Sequence, residues 1–297
     1  MSEPVPQQLA DLLDVLDLSD AHGARTDEDI FIGPSQARPN QRVFGGQVLA
    51  QSLIAGGRTV PEDRPVHSMH GYFLRPGDDQ QHITFGVQRL RDGRSFSARR
   101  VHAYQNGVPI LSMIASFQVP DVGLEHQDTM PEGIPDPESL PSTADELGAI
   151  DHPIARSWAQ RPFDVRHVGS SIYLDVDGDR RPYQATWMKA IGPLPDDPAL
   201  HRAALAFASD YTLLEPSLRA HGLPWATPGM SIASLDHAMW WHRSVRVDDW
   251  LLYIAESPSA SGARGLSLGK FFTRDGVLVA SVAQEGMIRV PEQMVNA

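Results

Sequence analysis

A chain of 297 residues, 41% of them hydrophobic, can bury one large core or two ordinary ones. It has no cysteine, which excludes disulfides, thiolate nucleophiles and cysteine-ligated zinc or iron–sulfur centres and leaves catalysis to oxygen and nitrogen groups. A formal net charge of −12 argues against general nucleic-acid binding, which needs a basic surface, and no apolar run approaches the roughly 18 residues of a membrane span. Met1-Ser2-Glu3-Pro4 lacks a basic region followed by an apolar stretch, so a cytoplasmic protein without stable membrane insertion is expected.

The first helical candidate runs from Gly45 to Ala55, with apolar residues at 48, 49, 53 and 54 and enough small residues to sit inside a sheet. Strand patterns follow at Val66 to Phe73, Ile83 to Val87 and Val101 to Tyr104; Asn106-Gly107 then turns the chain into Val108 to Ser112. From 121 to 162 proline, aspartate, glutamate and serine accumulate, which reads as a linker with a short helix near Ser142 to Leu147. Strands are expected again at Phe163 to Val168 and Tyr183 to Ala190. Asp196-Asp197-Pro198 caps a helix running through Ala203 to Phe207, and a further helical segment spans Asp210 to Leu218.

The remaining strands repeat the first set. Asp275-Gly276 lies 169 residues after Asn106-Gly107 and joins Lys270-Phe271-Phe272-Thr273 to Val277 through Ser281. In the same register Gly262 answers Gly93, Leu252 to Glu256 answers Ile83 to Val87, and Leu235 to His242 answers Val66 to Phe73. One helix and several long antiparallel strands, twice over, define an α+β chain with halves at 1–120 and 163–297. In this register Ala115 stands where Gln284 does.

Two motifs invite chemistry and fail on context. Asp236-His237, with His242 nearby, suggests a metal, but strand alternation sends neighbours to opposite faces, so no metal site is expected. Gly265-Leu266-Ser267-Leu268-Gly269 matches the nucleophile elbow of α/β-hydrolases, yet Ser267 is followed by strand and hairpin where that elbow needs a sharp turn and a helix.

Longer stretches carry a family resemblance. Val43-Phe44-Gly45-Gly46-Gln47, His67-Ser68-Met69-His70 leading to Tyr72-Phe73-Leu74-Arg75-Pro76-Gly77, and Arg91 through Arg100 resemble the first half of bacterial acyl-CoA thioesterase II. Asp236 through Arg243 and Gln284-Glu285-Gly286 resemble its second half, and the similarity spans about residues 8 to 290. The resemblance implies a tandem (double) hotdog fold and hydrolysis of fatty acyl-CoA to free fatty acid and CoA, with no cofactor beyond the CoA of the substrate. By analogy it also implies a homo-oligomer. Carried over residue by residue, the implied catalytic trio is Asp210, Ser234 and Gln284, with serine where the bacterial type member has threonine. An early histidine assignment in the family maps to His67.

Such a trio is chemically sufficient. An aspartate can deprotonate a water beside the acyl carbon while a hydroxyl and an amide fix it by hydrogen bonds. Gly45 and Gly46 allow close ligand approach, and their amides at a helix start suit a developing oxyanion. Arg94, Arg99, Arg100, Arg264 and Lys270 are candidates for the CoA phosphates. Each has a purely structural alternative: Asp210 as a helix cap, Ser234 and Gln284 as satisfied polar neighbours on strands, the glycines as a tight turn, and the basic residues as solvated strand charges. A non-catalytic acyl-CoA-binding protein and a hotdog enoyl-CoA hydratase or dehydratase are the alternative functions.

Overall fold

The computed structural model describes residues 5–20, 27–176 and 178–292; Met1-Ser2-Glu3-Pro4 lies outside them. In chain order the elements are α1 (Gln7–Leu16), β1 (Ser19–Asp20), β2 (Asp29–Gly33), α2 (Gly45–Gly57), β3 (Val66–Phe73), β4 (Ile83–Asp92), β5 (Phe96–Gln105) and β6 (Val108–Gln118). After a 3-10 turn at Pro137–Ser139 come α3 (Thr143–Leu147), α4 (Pro153–Ala159), β7 (Phe163–His167), β8 (Tyr183–Ala190), α5 (Pro198–Ser209) and α6 (Glu215–Ala220). The chain closes with β9 (Ser231–Ser234), β10 (Asp236–Trp241), β11 (Leu251–Ser261), β12 (Arg264–Thr273) and β13 (Leu278–Arg289).

The strands form one antiparallel sheet in the order β1-β2-β4-β5-β6-β3-β10-β13-β12-β11-β8-β7, with β9 pairing β13 off this path. The run β2-β4-β5-β6-β3 is mirrored by β8-β11-β12-β13-β10. The two runs meet where Tyr72 stands opposite Asp236 and Ser68 opposite Trp240. This is the double hotdog, α+β, each half a helix against a curved antiparallel sheet. A single core crosses the junction, with Leu49, Met69 and Phe85 from one half and Phe207, Met239 and Phe271 from the other.

Local chemistry explains the two central helices. In α5 the Asp197 side chain accepts the Ala199 amide and Pro198 occupies the first turn, as the capping pattern predicts. Ala203, Ala204, Ala206 and Ala208 are buried and short, so α5 can press closely on α2. Along β5 the buried residues are Ser97, Arg99, Val101, Ala103 and Gln105, a period of two that points them all to the helix side.

The hairpins are where the repeat slips. Asn106 (φ 50°) and Gly107 (φ 74°) close β5 to β6 in two residues, with Gln105 opposite Val108. The β12–β13 connection is longer, pairing Phe272 with Leu278. The gap-free register therefore holds for β13 and is off by one upstream: buried Ser267, facing Gln284, answers buried Arg99, facing Ala115, so Ala115 occupies the place of Gln284.

The segment 121–162 is packed rather than a spacer. Ser142 caps the expected helix, α3, in a capping box with Asp145, and the unforeseen α4 follows. Trp187 Nε1 donates to Pro135 O at 2.9 Å, and Arg274 pairs with Asp136 and Glu138.

Candidate active site

The site is built where the carboxyl end of α5 meets the amino end of α2. Asp210 is the C-cap of α5, not the start of a second helix; the next helix, α6, begins at Glu215. A carboxylate is electrostatically misplaced at a helix carboxyl end. The start of α2 offsets this, since the Gly46 amide donates to Asp210 Oδ2 at 2.9 Å. Ser234 Oγ, from β9, donates to Oδ1 at 3.1 Å, and Gln284 Nε2, from β13, donates to Ser234 Oγ at 2.7 Å. Asp210, Ser234 and Gln284 are thus one hydrogen-bonded chain.

Burial pushes the Asp210 carboxyl above its ordinary range, against the opposing pull of His237 and of hydrogen bonds from Gln284, Ser234 and Gly46. All three residues of the chain open onto a cavity of about 550 Å³. Its apolar wall includes Phe44 and Phe73 on one side and Trp158, Leu214, Trp225 and Ile232 on the other. Ile154, Ser157, Trp158 and Arg161 of this wall come from the segment between the halves.

Gly45 lines the cavity, whereas Gly46 does not. The Gly46 amide is taken by Asp210, so it holds the carboxylate and is not available to an oxyanion, contrary to expectation. What requires glycine here is approach: a Cβ on Gly45 would stand 2.7 Å from Asp210 Oδ2, and one on Gly46 2.3 Å from Phe207 O.

The other predicted binding residues lie elsewhere. Arg99 is 0% exposed and spends its guanidinium on Thr59 (Oγ1 2.7 Å, O 2.9 Å), Arg91 O, Ala98 O and Asp92. Arg100 points to the face of β5 away from α2 and reaches Gln88 Oε1 at 3.3 Å. Arg264 pairs with Glu285 at 2.9 Å and Lys270 with Asp128 at 2.6 Å, both on the side of β12 away from α5. His67 sits at a bulge in β3, its Nε2 2.9 Å from Ser116 Oγ. None of these five lines the cavity. Arg99→Met is therefore expected to lower stability by about 3 kcal/mol, because it strands a buried hydrogen-bond set, while leaving KM for acyl-CoA unchanged; urea unfolding and steady-state kinetics check the two halves of that statement.

Sequence reading missed the cavity's own cations, Arg38, Arg42, Arg75 and Arg161. Arg38 lies over the Phe44 ring at 4.8 Å and Arg161 over the Tyr211 ring at 4.3 Å. Burial lowers the Arg38 pKa, the mark of a cation kept from water. It also missed His237, fully buried beside Gln284. Strand alternation does separate the Asp236-His237 pair: Asp236 Oδ1 accepts the Glu285 amide at 2.7 Å while His237 turns inward to Ser209. Ser267 lies buried in the middle of β12, with no turn into a helix after it.

A double hotdog with a hydrogen-bonded aspartate, serine and glutamine at a cavity between its helices defines the architecture. Residues 34–118 match the family model for the acyl-CoA thioesterase N-terminal domain, and residues 156–287 that for acyl-CoA thioesterase. The chain is 40% identical over 275 residues to acyl-CoA thioesterase 2 of Haemophilus influenzae, covering 90% of this chain and 95% of that protein. It is 39% identical to human acyl-coenzyme A thioesterase 8, covering 90% and 87%. A solved acyl-CoA thioesterase II, TesB2, from Mycobacterium marinum superposes with a TM-score of 0.75 at 40% identity, over 95% of this chain and 98% of that one. This chain belongs to the acyl-CoA thioesterase family.

Proposed function

We propose that the chain hydrolyses fatty acyl-CoA to free fatty acid and CoA, with Asp210 as general base. The observation that carries this reading is a carboxylate of raised pKa, both oxygens held, on the wall of a largely apolar cavity. A water beside Asp210 gives up a proton to it and adds to the thioester carbon; as the tetrahedral intermediate collapses, the C–S bond breaks and Asp210 returns that proton to the departing thiolate. Ser234 uses its one hydroxyl proton on Asp210, and Gln284 divides its amide protons between Ser234 and the Asp210 carboxylate, so the two side chains hold the base in place for the water. The Gly45 amide, in the first turn of α2 and without a partner inside the helix, is the donor this reading assigns to the oxyanion.

In this reading the phosphates of CoA are met by cavity arginines rather than by strand cations, since Arg42 and Arg75 are exposed at its rim. No resident cofactor takes part, so a chelator leaves kcat unchanged. Cytoplasmic location and homo-oligomerisation belong to the same proposal; no helix among the described residues is long and apolar enough to cross a membrane. Incubation of the purified protein with palmitoyl-CoA and a thiol reagent tests it: catalytic release of CoA is expected, and tight binding without release would mean a sensor instead.

A further inference from the structure

Two buried polar side chains on neighbouring strands face the end of α5: His237 on β10 and Gln284 on β13. Gln284 bridges two neighbours, its Nε2 on Ser234 Oγ and its Oε1 on His237 Nδ1. The two ends of a side-chain amide have nearly the same shape, so packing alone does not fix which end points where. Hydrogen-bonding partners must decide it.

We propose that His237 is a positioning residue for the hydrolysis, acting through Gln284 on Ser234 and Asp210; the inference rests on the role given to that trio above. With the imidazole proton on Nδ1, His237 donates to Gln284 Oε1, which turns Nε2 toward Ser234. Ser234 then receives a donor on its oxygen, and its own proton is free to go to Asp210 Oδ1. With Nδ1 bare the amide reverses. Its oxygen faces Ser234, draws the hydroxyl proton to itself, and Asp210 loses one of its donors. The order of donors is set from the carboxylate, which only accepts: Ser234 donates to Asp210, Gln284 Nε2 to Ser234, and Gln284 Oε1 is left to accept from Nδ1, while Ser209 Oγ lies 3.0 Å from His237 Nε2 and donates its own proton to Ala206 O at 2.9 Å. Burial lowers the His237 pKa and so favours the neutral ring with a single N–H that this arrangement uses.

The test compares two polar substitutions of similar size. Asparagine can place its amide nitrogen where Nδ1 stood, whereas glutamine reaches toward the position of Nε2. His237→Asn is expected to keep kcat within about threefold and His237→Gln to lose about 30-fold, both with KM unchanged. In a Gln284→Ala background His237→Gln adds no further loss, because the amide it orients is gone. Circular dichroism and urea midpoints establish that the compared variants are folded, and the asparagine variant carries the test if His237→Gln is not, a kcat loss of about tenfold or more in it overturning the proposal. Equal loss of kcat in His237→Asn and His237→Gln overturns the proposal, as does a His237→Gln loss that multiplies with that of Gln284→Ala. Wild-type turnover retained in Gln284→Ala removes the underlying trio itself, a separate result from any of these.

Discussion

Asp210→Asn lowers kcat by about 10³-fold while KM for acyl-CoA moves by no more than about threefold. The substitution keeps the shape and most of the burial, so the cavity wall is preserved. What it removes is the proton acceptor. It also damages the chain of donors, because Gly46 N–H and Ser234 O–H both point at the carboxylate and one of them must now face an NH₂ group. The pH profile has a definite sign. A general base works only when ionised, so activity falls as the pH drops through its pKa, and burial raises that pKa above the ordinary aspartate value of 3.8. The acid limb of kcat/KM is therefore displaced upward from a solvent-exposed aspartate, and in Asp210→Asn the residual activity loses that limb. Stopped thiol-release assays across the acid range measure both. An asparagine variant with wild-type kcat and an intact acid limb would assign the base to another residue.

What the sequence makes legible follows from the range of the interactions that decide each feature. The helix from Gly45 and the hairpin at Asn106-Gly107 are local: apolar spacing writes one, and two residues at positive φ write the other. Repetition extends these local signals to the whole sheet, until the longer second hairpin shifts β12 by a residue that no local pattern announces. The placement of Arg99 could have been read. It alternates in phase with Val101 and Ala103, so its side chain had to point inward, where a guanidinium needs fixed partners rather than a visiting phosphate. Arg38 and Arg161 carry no such phase, since both lie outside the regular elements and are brought to the cavity only by the packing of Phe44 and Tyr211. For Asp210, Ser234 and Gln284 the residue pattern alone leaves a cap and two strand polars. Only the family resemblance joins them, because the contacts span 24 and 50 residues of sequence and depend on α5 meeting α2.

That meeting gives the second large expected effect. Gly46→Ala lowers the unfolding free energy by about 3 kcal/mol and cuts kcat at least about tenfold. Helix propensity argues the other way, since alanine in a helix is favoured over glycine by about 1 kcal/mol. The contact wins because the new Cβ would stand 2.3 Å from Phe207 O and 2.6 Å from Phe44 Cε1. A side chain can rotate away, but a backbone oxygen moves only with its helix. Displacing α5 carries Asp210 off the Gly46 amide, so stability and turnover fail together. Gly57, at the other end of α2, supplies the control: nothing lies within 4 Å of a Cβ built there. Gly57→Ala is expected to leave kcat alone and to stabilise by up to about 1 kcal/mol. Urea midpoints of the two alanine variants should therefore move in opposite directions. A Gly46→Ala protein that unfolds at or above the wild-type midpoint would show that the helices can part without cost, and with it would go the argument that their contact sets the position of the carboxylate.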